Sequence, residues 1–318
     1  GNLTNRITGI SRALARLTNL QQFYIANSPI TSEGFFVDVK PDSPFYGQRL
    51  DWGDMETLTD LEFYNCPNLT SLPLEMLTKL PNIIAINIAN NLNIPADRIK
   101  SDWEAIIDGA SGAKIQIMYL DHLNLKEFPD YSKLSKMSKL GYLECAYCQI
   151  EKVHPFGGKI NLAQIILDYN QIKSIEPAAD GYFCGVEQLE TFSAAHNCLT
   201  EAPDIFNAKS LYEFTDLDLS YNEITRFANG SAHRGYNANT IDLSYNRFES
   251  FPSQIFKTGS PCQYLIFAGN GIKKISKGDL TGSKSSRLMS LDLSFNKLKE
   301  LPPTDFYSTN LPYLYGVD

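Results

Sequence analysis

Three stretches of the chain superimpose residue for residue: "FTDLDLSYNEITRF" from Phe214, "ANTIDLSYNRFESF" from Ala238 and "LMSLDLSFNKLKEL" from Leu288. Each reads L-x-x-L-x-L-x-x-N-x-L, with a further apolar residue three positions on. With the first apolar residue as position 1, the pattern opens at Leu20, Leu58, Ile83, Ile115, Leu140, Leu162, Leu189, Phe214, Ala238, Cys262 and Leu288. These eleven units lie mostly 22 to 27 residues apart, with gaps of 38 after Leu20 and 32 after Ile83. A period of this length means stacked supersecondary units, not one conventional core.

The physical logic follows from the alternation. Positions 4 and 6 of an extended segment point to the same face. One short strand cannot bury that face alone, so copies must stack. Eleven strands at ~4.8 Å spacing give a parallel sheet on the order of 50 Å long. Position 9 calls for a polar side chain that turns inward and pairs with backbone groups the turn leaves open. Asn91, Asn170, Asn197, Asn222, Asn246, Asn270 and Asn296 occupy it, followed at position 11 by Ile150, Ile172, Leu199, Ile224, Phe248, Ile272 and Leu298.

The segments between strands are less regular. "SLPLEMLTKLP" and "FPSQIFKTGSP" read as outer segments with short helical turns bounded by proline. "PADRIKSDWEAIIDG" places Ile99, Trp103, Ile106 and Ile107 on one helical face between Pro95 and Gly109, which predicts an amphipathic helix on the outer side. The longest insertion, about Thr31 to Thr57, carries Phe35, Phe36, Phe45, Tyr46 and Trp52, expected to fold onto the end of the core. "LPYLYGVD" from Leu311 matches "LPNIIAIN" from Leu80 and opens a twelfth, partial unit. "NRITGI" reads as positions 9 to 14 of an earlier one, with Asn5, Ile7 and Ile10 in role. The expected organisation is therefore one domain over 1–318, of about eleven repeats with partial repeats at both ends, drawn from a longer array or ending in diverged caps.

Composition bounds the function. The net charge of −8 sets a field that repels polyanions, so nucleic acid is not an expected partner. No run of 18 apolar residues occurs, so no membrane-spanning segment is expected. "GNLTNRITGI" has no basic segment followed by an apolar one, so the sequence as it stands carries no export signal. Sequons at Asn2, Asn68 and Asn229 would matter only in a eukaryotic secretory host.

Several motifs point to chemistry and are outweighed by the register. Cys145 and Cys148 form a C-x-x-C, a spacing shared by half a zinc site and by redox disulfides. No second pair of Cys or His follows for zinc, and a redox pair needs its first cysteine at a helix start. In register Cys145 is position 6 and Cys148 position 9, with Cys66 also at position 9, Cys198 at position 10 and Cys262 at position 1, so buried thiols are expected. "GDLTGSKSSRL" from Gly278 fails the phosphate-loop spacing. His122, His154, His196 and His233 form no catalytic constellation, and His122 and His196 fall three repeats apart. No catalytic residue, metal ligand or cofactor is implied.

The strand face remains. Positions 3, 5, 7 and 8 contain no lysine or arginine in any of the eleven repeats, while acidic and tyrosine residues recur. Asp218, Asp242, Asp292, Tyr221, Tyr245 and Phe295 sit in the recurrent "LDLSYN" and "LDLSFN" phrases and can be scaffold. The candidate ligand-binding residues are Tyr119, His122, Tyr142, Glu144, Tyr147, Asp168, Tyr169, His196, Asp216 and Tyr221. Tyrosine supplies rigid contact area, and carboxylates steer positive charge, which suits a basic protein or peptide. Sugars can also stack on tyrosine.

The whole pattern resembles the leucine-rich repeat superfamily, an α/β solenoid curved into a horseshoe with a parallel inner sheet. The irregular unit lengths and the phrases "LTNL", "LDLSYN" and "IFNAKS" are most similar to cell-surface members from gut bacteria. That resemblance implies a non-enzymatic, exported binding module at a cell surface or outer membrane, acting through its concave face; a monomer is the expected state. Two other expectations stand beside it: a recognition part of a larger enzyme or effector, and a self-associating surface protein.

Overall fold

The computed structural model describes residues 6–38, 40–109, 111–127, 131–154, 160–176, 186, 188–203, 214–228, 238–253, 262–276, 279, 287–301, 313–314 and 316–317. The chain divides into two compact units, one of residues 1–149 with 160–162, the other of residues 150–159 with 163–318.

The first unit carries five parallel strands: β1 (Gln22–Ala26), β2 (Asp60–Tyr64), β3 (Ala85–Asn87), β4 (Ile117–Tyr119) and β5 (Tyr142–Glu144). Each begins at position 3, and the pairing runs Gln22 to Asp60, Asp60 to Ala85, Ala85 to Ile117 and Ile117 to Tyr142. Register is fixed because a one-residue slip would turn every buried side chain outward. From β2 to β5 the position 4 and 6 side chains, Leu61 and Phe63 through Leu143 and Cys145, are all buried.

Between strands lie α1 (Leu74–Lys79), α2 (Ala96–Asp108) and the single-turn α3 (Tyr131–Leu134). The predicted helix is α2, with Pro95 at its N-cap, Gly109 at its C-cap, and Ile99, Trp103, Ile106 and Ile107 buried. The insertion folds inward in part. Phe35 and Trp52 are buried, the Trp52 indole N–H donates to the Phe35 carbonyl at 2.8 Å, and Phe35 meets Phe63 edge-on at 5.3 Å. Phe45 is only half-buried beneath the Arg16 guanidinium, and Tyr46 is 59% exposed. Both sit in the turn around Ser43–Gly47, whose hydrogen bonds are local and carry it away from the core. Ile10 is buried as expected, Ile7 is exposed, and Asn5 lies outside the described residues.

The second unit carries β7 (Gln164–Ile166), β9 (Thr191–Ser193), β11 (Asp216–Asp218), β13 (Thr240–Asp242), β14 (Tyr264–Ile266), β15 (Ser290–Asp292) and β16 (Gly316–Val317), all parallel and paired position 3 to position 3. The last strand is the partial twelfth repeat. From Val153 to Ile275, position 14 supplies a second buried row, which ends at the exposed Leu301, and there β6 (Lys152–Val153) pairs with β8 (Ser174–Ile175) and β10 (Glu201–Ala202) with β12 (Arg226–Phe227). "FPSQIFKTGSP" lies largely outside the described residues.

Position 9 ties successive turns together. The Asn222 amide donates to the carbonyls of Leu219 and Ser220 in its own turn and of Ala194 in the turn before. Its oxygen accepts the N–H of Leu199, the position 11 residue of that earlier turn, at 2.9 Å. Asn197, Asn246, Asn270 and Asn296 repeat all four bonds. One side chain thus satisfies four backbone groups that burial would otherwise strand.

Candidate functional site

Directly after each inner strand the chain must turn, and it does so at position 8 with a left-handed backbone. Asn27, Asn65, Asn90, His122, Tyr147, Tyr169, His196, Tyr221, Tyr245 and Phe295 have φ between 51° and 60°, and Gly269 has φ 68°. For a bulky L-residue this region is a genuine outlier, costing roughly 1–2 kcal/mol. Asn tolerates it because its short polar side chain can bond the local backbone, and across turns the Asn65 amide donates to the Asn27 side chain at 2.6 Å. From His122 onward the same conformation is imposed on His, Tyr and Phe. Position 8 side chains therefore leave the turn at the same angle, one above another.

In the second unit this aligns the rings. Tyr169 and His196 stack with centroids 4.1 Å apart, His196 and Tyr221 at 4.2 Å, and Tyr221 and Tyr245 at 4.4 Å, with interplanar angles of 9° to 12°. The spacing matches the ~4.8 Å between paired strands that carry them. Tyr169, Tyr221 and Tyr245 remain 42% to 44% exposed, so the stack presents a ribbon of ring edges and hydroxyls. Burial, then the neighbouring Tyr245 hydroxyl, pushes the Tyr221 phenol up and keeps it protonated.

The first unit holds a smaller group of the same kind. His122 and Tyr147 stack at 4.5 Å and 7°. On the adjoining strands Tyr119 and Tyr142 lie 5.2 Å apart, tilted by 49°, and the Tyr142 hydroxyl donates to Glu144. Burial, reinforced by that bond, pushes the Tyr142 phenol well above its ordinary value. Tyr119, His122, Tyr142 and Glu144 are half-buried and Tyr147 is 44% exposed.

Many of the acids on the strand face brace the backbone. Asp218, Asp242 and Asp292, at position 5, accept the N–H two residues on, at Ser220, Ser244 and Ser294, as Asn87 does for Ala89. Asp121 and Asp168, at position 7, accept the N–H of position 7 in the next turn, Ala146 and Ala195. Asp168 also accepts the Ser193 hydroxyl, so this candidate has a structural task in addition to any contact with a ligand. Burial pushes the Asp168 carboxyl up, against the pull of those bonds. Asp216 is exposed at position 3, five residues before Tyr221 and at the opposite end of its strand.

The ten candidates thus divide. Tyr119, His122, Tyr142, Glu144 and Tyr147 gather in the first unit; Tyr169, His196 and Tyr221 gather in the second, with Asp168 beneath them and Asp216 apart. Tyr221 and Tyr245, which the recurrent phrase marks as possible scaffold, both belong to the stack, and Tyr245, not among the candidates, is its end member. The signal that could have found it is Asn27, Asn65, Asn90 and Gly269, residues at home in a left-handed backbone, recurring at one register position.

The five thiols among the described residues are packing elements. Cys66, Cys145, Cys148 and Cys262 are fully buried and Cys198 is half-buried. Burial pushes Cys66 up to about 11 and Cys148 and Cys262 up to about 12, which removes thiolate character. The Cys148 thiol donates to the Leu120 and Ala146 carbonyls, a reduced version of the asparagine role. Cations lie on the flank beyond the strands, paired across turns as in Arg247–Glu223 and Lys273–Glu249. No helix among the described residues is long and apolar enough to cross a membrane.

Stacked parallel turns, an inward asparagine at position 9 and an apolar plug at position 11 define a leucine-rich repeat solenoid. The Leucine Rich Repeat family model matches residues 287–309. The chain is similar to a leucine-rich repeat protein from Bacteroides thetaiotaomicron (41% identity, TM-score 0.85, 100% of this chain and 39% of that one). It is equally similar to one from Bacteroides eggerthii (41% identity, TM-score 0.83, 99% and 53%). Bovine lumican is 30% identical over 192 residues, 59% of this chain and 52% of lumican. The chain spans about half the length of lumican and of the Bacteroides eggerthii protein. It is a leucine-rich repeat protein.

Proposed function

We propose that the chain is a non-enzymatic module that binds a protein or peptide on the strand face, through the aromatic rows at position 8 and the tyrosines beside them. One observation carries this reading. Seven turns hold His, Tyr or Phe in a left-handed backbone where the first three turns use Asn at lower cost. Stacking, at about 0.5–1.5 kcal/mol per pair, offsets much of that strain, but it does not explain leaving the ring edges exposed. Backbone strain that persists around exposed rings is a mark of a functional surface. The absence of lysine and arginine from that face, together with its carboxylates, favours a partner of positive charge.

Display at a bacterial surface is part of this proposal: the two Bacteroides proteins favour a bacterial source, and the surface placement is what the sequence resemblance to cell-surface members implies. Antibody labelling of intact cells tests it.

The binding surface is tested with a displayed library of random peptides, selected on the wild-type chain. Selected peptides are then titrated against Tyr142→Ala with Tyr147→Ala, and against Tyr169→Asn with Tyr221→Asn. At least about tenfold weaker binding to one pair, with the melting temperature preserved, is expected from loss of aromatic anchors. Peptides that bind both variants as tightly as the wild type would remove these two aromatic groups from consideration.

A further inference from the structure

The aromatic row of the second unit has a gap. Position 8 is a ring in five of the six full turns, and in the remaining one it is Gly269, between Tyr245 and Phe295. The left-handed backbone does not demand glycine here, since Tyr and Phe adopt it in the adjoining turns. What excludes a side chain is the Tyr245 ring. A Cβ on Gly269 would lie 2.6 Å from Tyr245 Cδ1 and 2.8 Å from Cε1. The missing side chain thus lets Tyr245 lean over the turn, and it leaves the next ring without a neighbour. Phe295 is 80% exposed, nearly twice the exposure of the stacked tyrosines, and it has no ring contact among the described residues.

The dimensions admit a guest. Two strand spacings separate the backbones carrying Tyr245 and Phe295, about 9–10 Å. A planar group in contact with both rings needs roughly twice the ~3.5 Å contact distance between flat groups. The lean of Tyr245 narrows the slot toward that value. The surroundings select charge. Asp242 and Asp292 lie in register on either side of Ile266, the position 5 residue of the glycine-bearing turn. Neither lysine nor arginine occupies any strand-face position of the unit.

Resting on the proposed protein-binding function, we infer that the space over Gly269, between Tyr245 and Phe295, is a specificity slot for an arginine side chain of the partner. A guanidinium is planar and weakly hydrated, stacks on aromatic faces and carries the charge that Asp242 and Asp292 complement. An ammonium meets the charge requirement but cannot stack between two rings. A phenyl ring meets the shape requirement and leaves the carboxylates unanswered.

The slot is tested with three capped tripeptides, Gly-Arg-Gly, Gly-Lys-Gly and Gly-Phe-Gly, on full chain carrying a 4-fluoro label on the 295 ring. The arginine peptide is expected to shift the fluorine resonance and to half-saturate at a concentration several-fold, up to about tenfold, below either of the others. G269Y forces the Tyr245 ring back from the turn and fills the slot with a ring, and it is expected to abolish the shift while a cooperative melting transition shows that the chain still folds. Tyr245→Ala removes one wall and is expected to weaken binding without unfolding the chain. Equal response to lysine, preference for phenylalanine, or an undiminished arginine response in G269Y would each overturn the inference. These outcomes leave the wider reading standing, because selected peptides are tested on Tyr142, Tyr147, Tyr169 and Tyr221, none of which lines the slot.

Discussion

At position 9 the second unit has asparagine in six successive turns, whereas the first unit has Ser28, Cys66, Asn91, Leu123 and Cys148. All these side chains are buried or nearly so except Asn296, yet their bonding differs. Asn222 satisfies four backbone groups, Cys148 reaches two carbonyls with a weak donor, and Leu123 has no donor to offer. The first unit offsets this with apolar mass between its strands: Trp103 and three isoleucines of α2, and Phe35 and Trp52 of the insertion. In the second unit the asparagine ladder joins each described turn to the next. Among the described residues the ladder is thus continuous in the second unit, whereas in the first it is carried in full by Asn91 and supplemented by outer hydrophobic packing.

The largest expected effect attacks the ladder. Asn222→Leu keeps the branched shape but strands three carbonyls and one N–H, and should cost about 3 kcal/mol or more, since each orphaned buried group costs ~1–3 kcal/mol. Urea denaturation measures the total, and hydrogen exchange at the Leu199 amide locates it. Cys148→Ala, the matching change in the first unit, should cost only about 1–2 kcal/mol, mostly as a small cavity. Equal losses would dissolve the contrast between the units.

Position 8 gives a second contrast of smaller size. Asn65→Tyr places a bulky residue in a left-handed backbone without stacked neighbours and should destabilise by about 1 kcal/mol. Tyr221→Asn recovers that strain but gives up two ring contacts worth ~0.5–1.5 kcal/mol each, so its net cost should stay near or below ~1 kcal/mol. A stabilising Asn65→Tyr, seen as a raised melting temperature, would show that the turn carries no such strain.

The smallest effect is in acid. Burial, and then the charges of Asp218 and Asp292, raise the Asp242 carboxyl, while bonds to Ser244 lower it less. A folded value above the unfolded one means the folded state binds the proton more tightly. Asp242 therefore opposes folding above its raised value, and that cost is relieved as pH falls through it toward 3.8. Asp242→Asn should flatten this segment of the stability–pH curve by a few tenths to about 1 kcal/mol. An unchanged curve would mean the charge is well solvated.

Much of this was legible in the residues. Every inner strand begins at position 3 because the apolar alternation at positions 4 and 6 admits one register, and Pro95 and Gly109 mark α2 to the residue. The brace formed by Asp218, Asp242 and Asp292 was legible too, as an aspartate followed two residues on by serine, a local turn signal. The left-handed backbone at position 8 was hidden, since Tyr and His do not advertise it and three asparagines in irregular turns drew no attention. Tyr46 was misjudged because an aromatic residue in a polar turn reads the same whether it points inward or out.

Position 8 carries a consequence for how such a surface changes over time. Asn, His, Tyr, Phe and Gly all occupy it within a φ window of 51° to 68°, so the turn dictates the backbone and leaves the side chain open. A single substitution there alters what the face displays at one ~4.8 Å interval without moving its neighbours. Binding preference can then drift one turn at a time while the load borne by position 9 stays untouched, and a designed library confined to this column would sample new specificities on an unaltered frame.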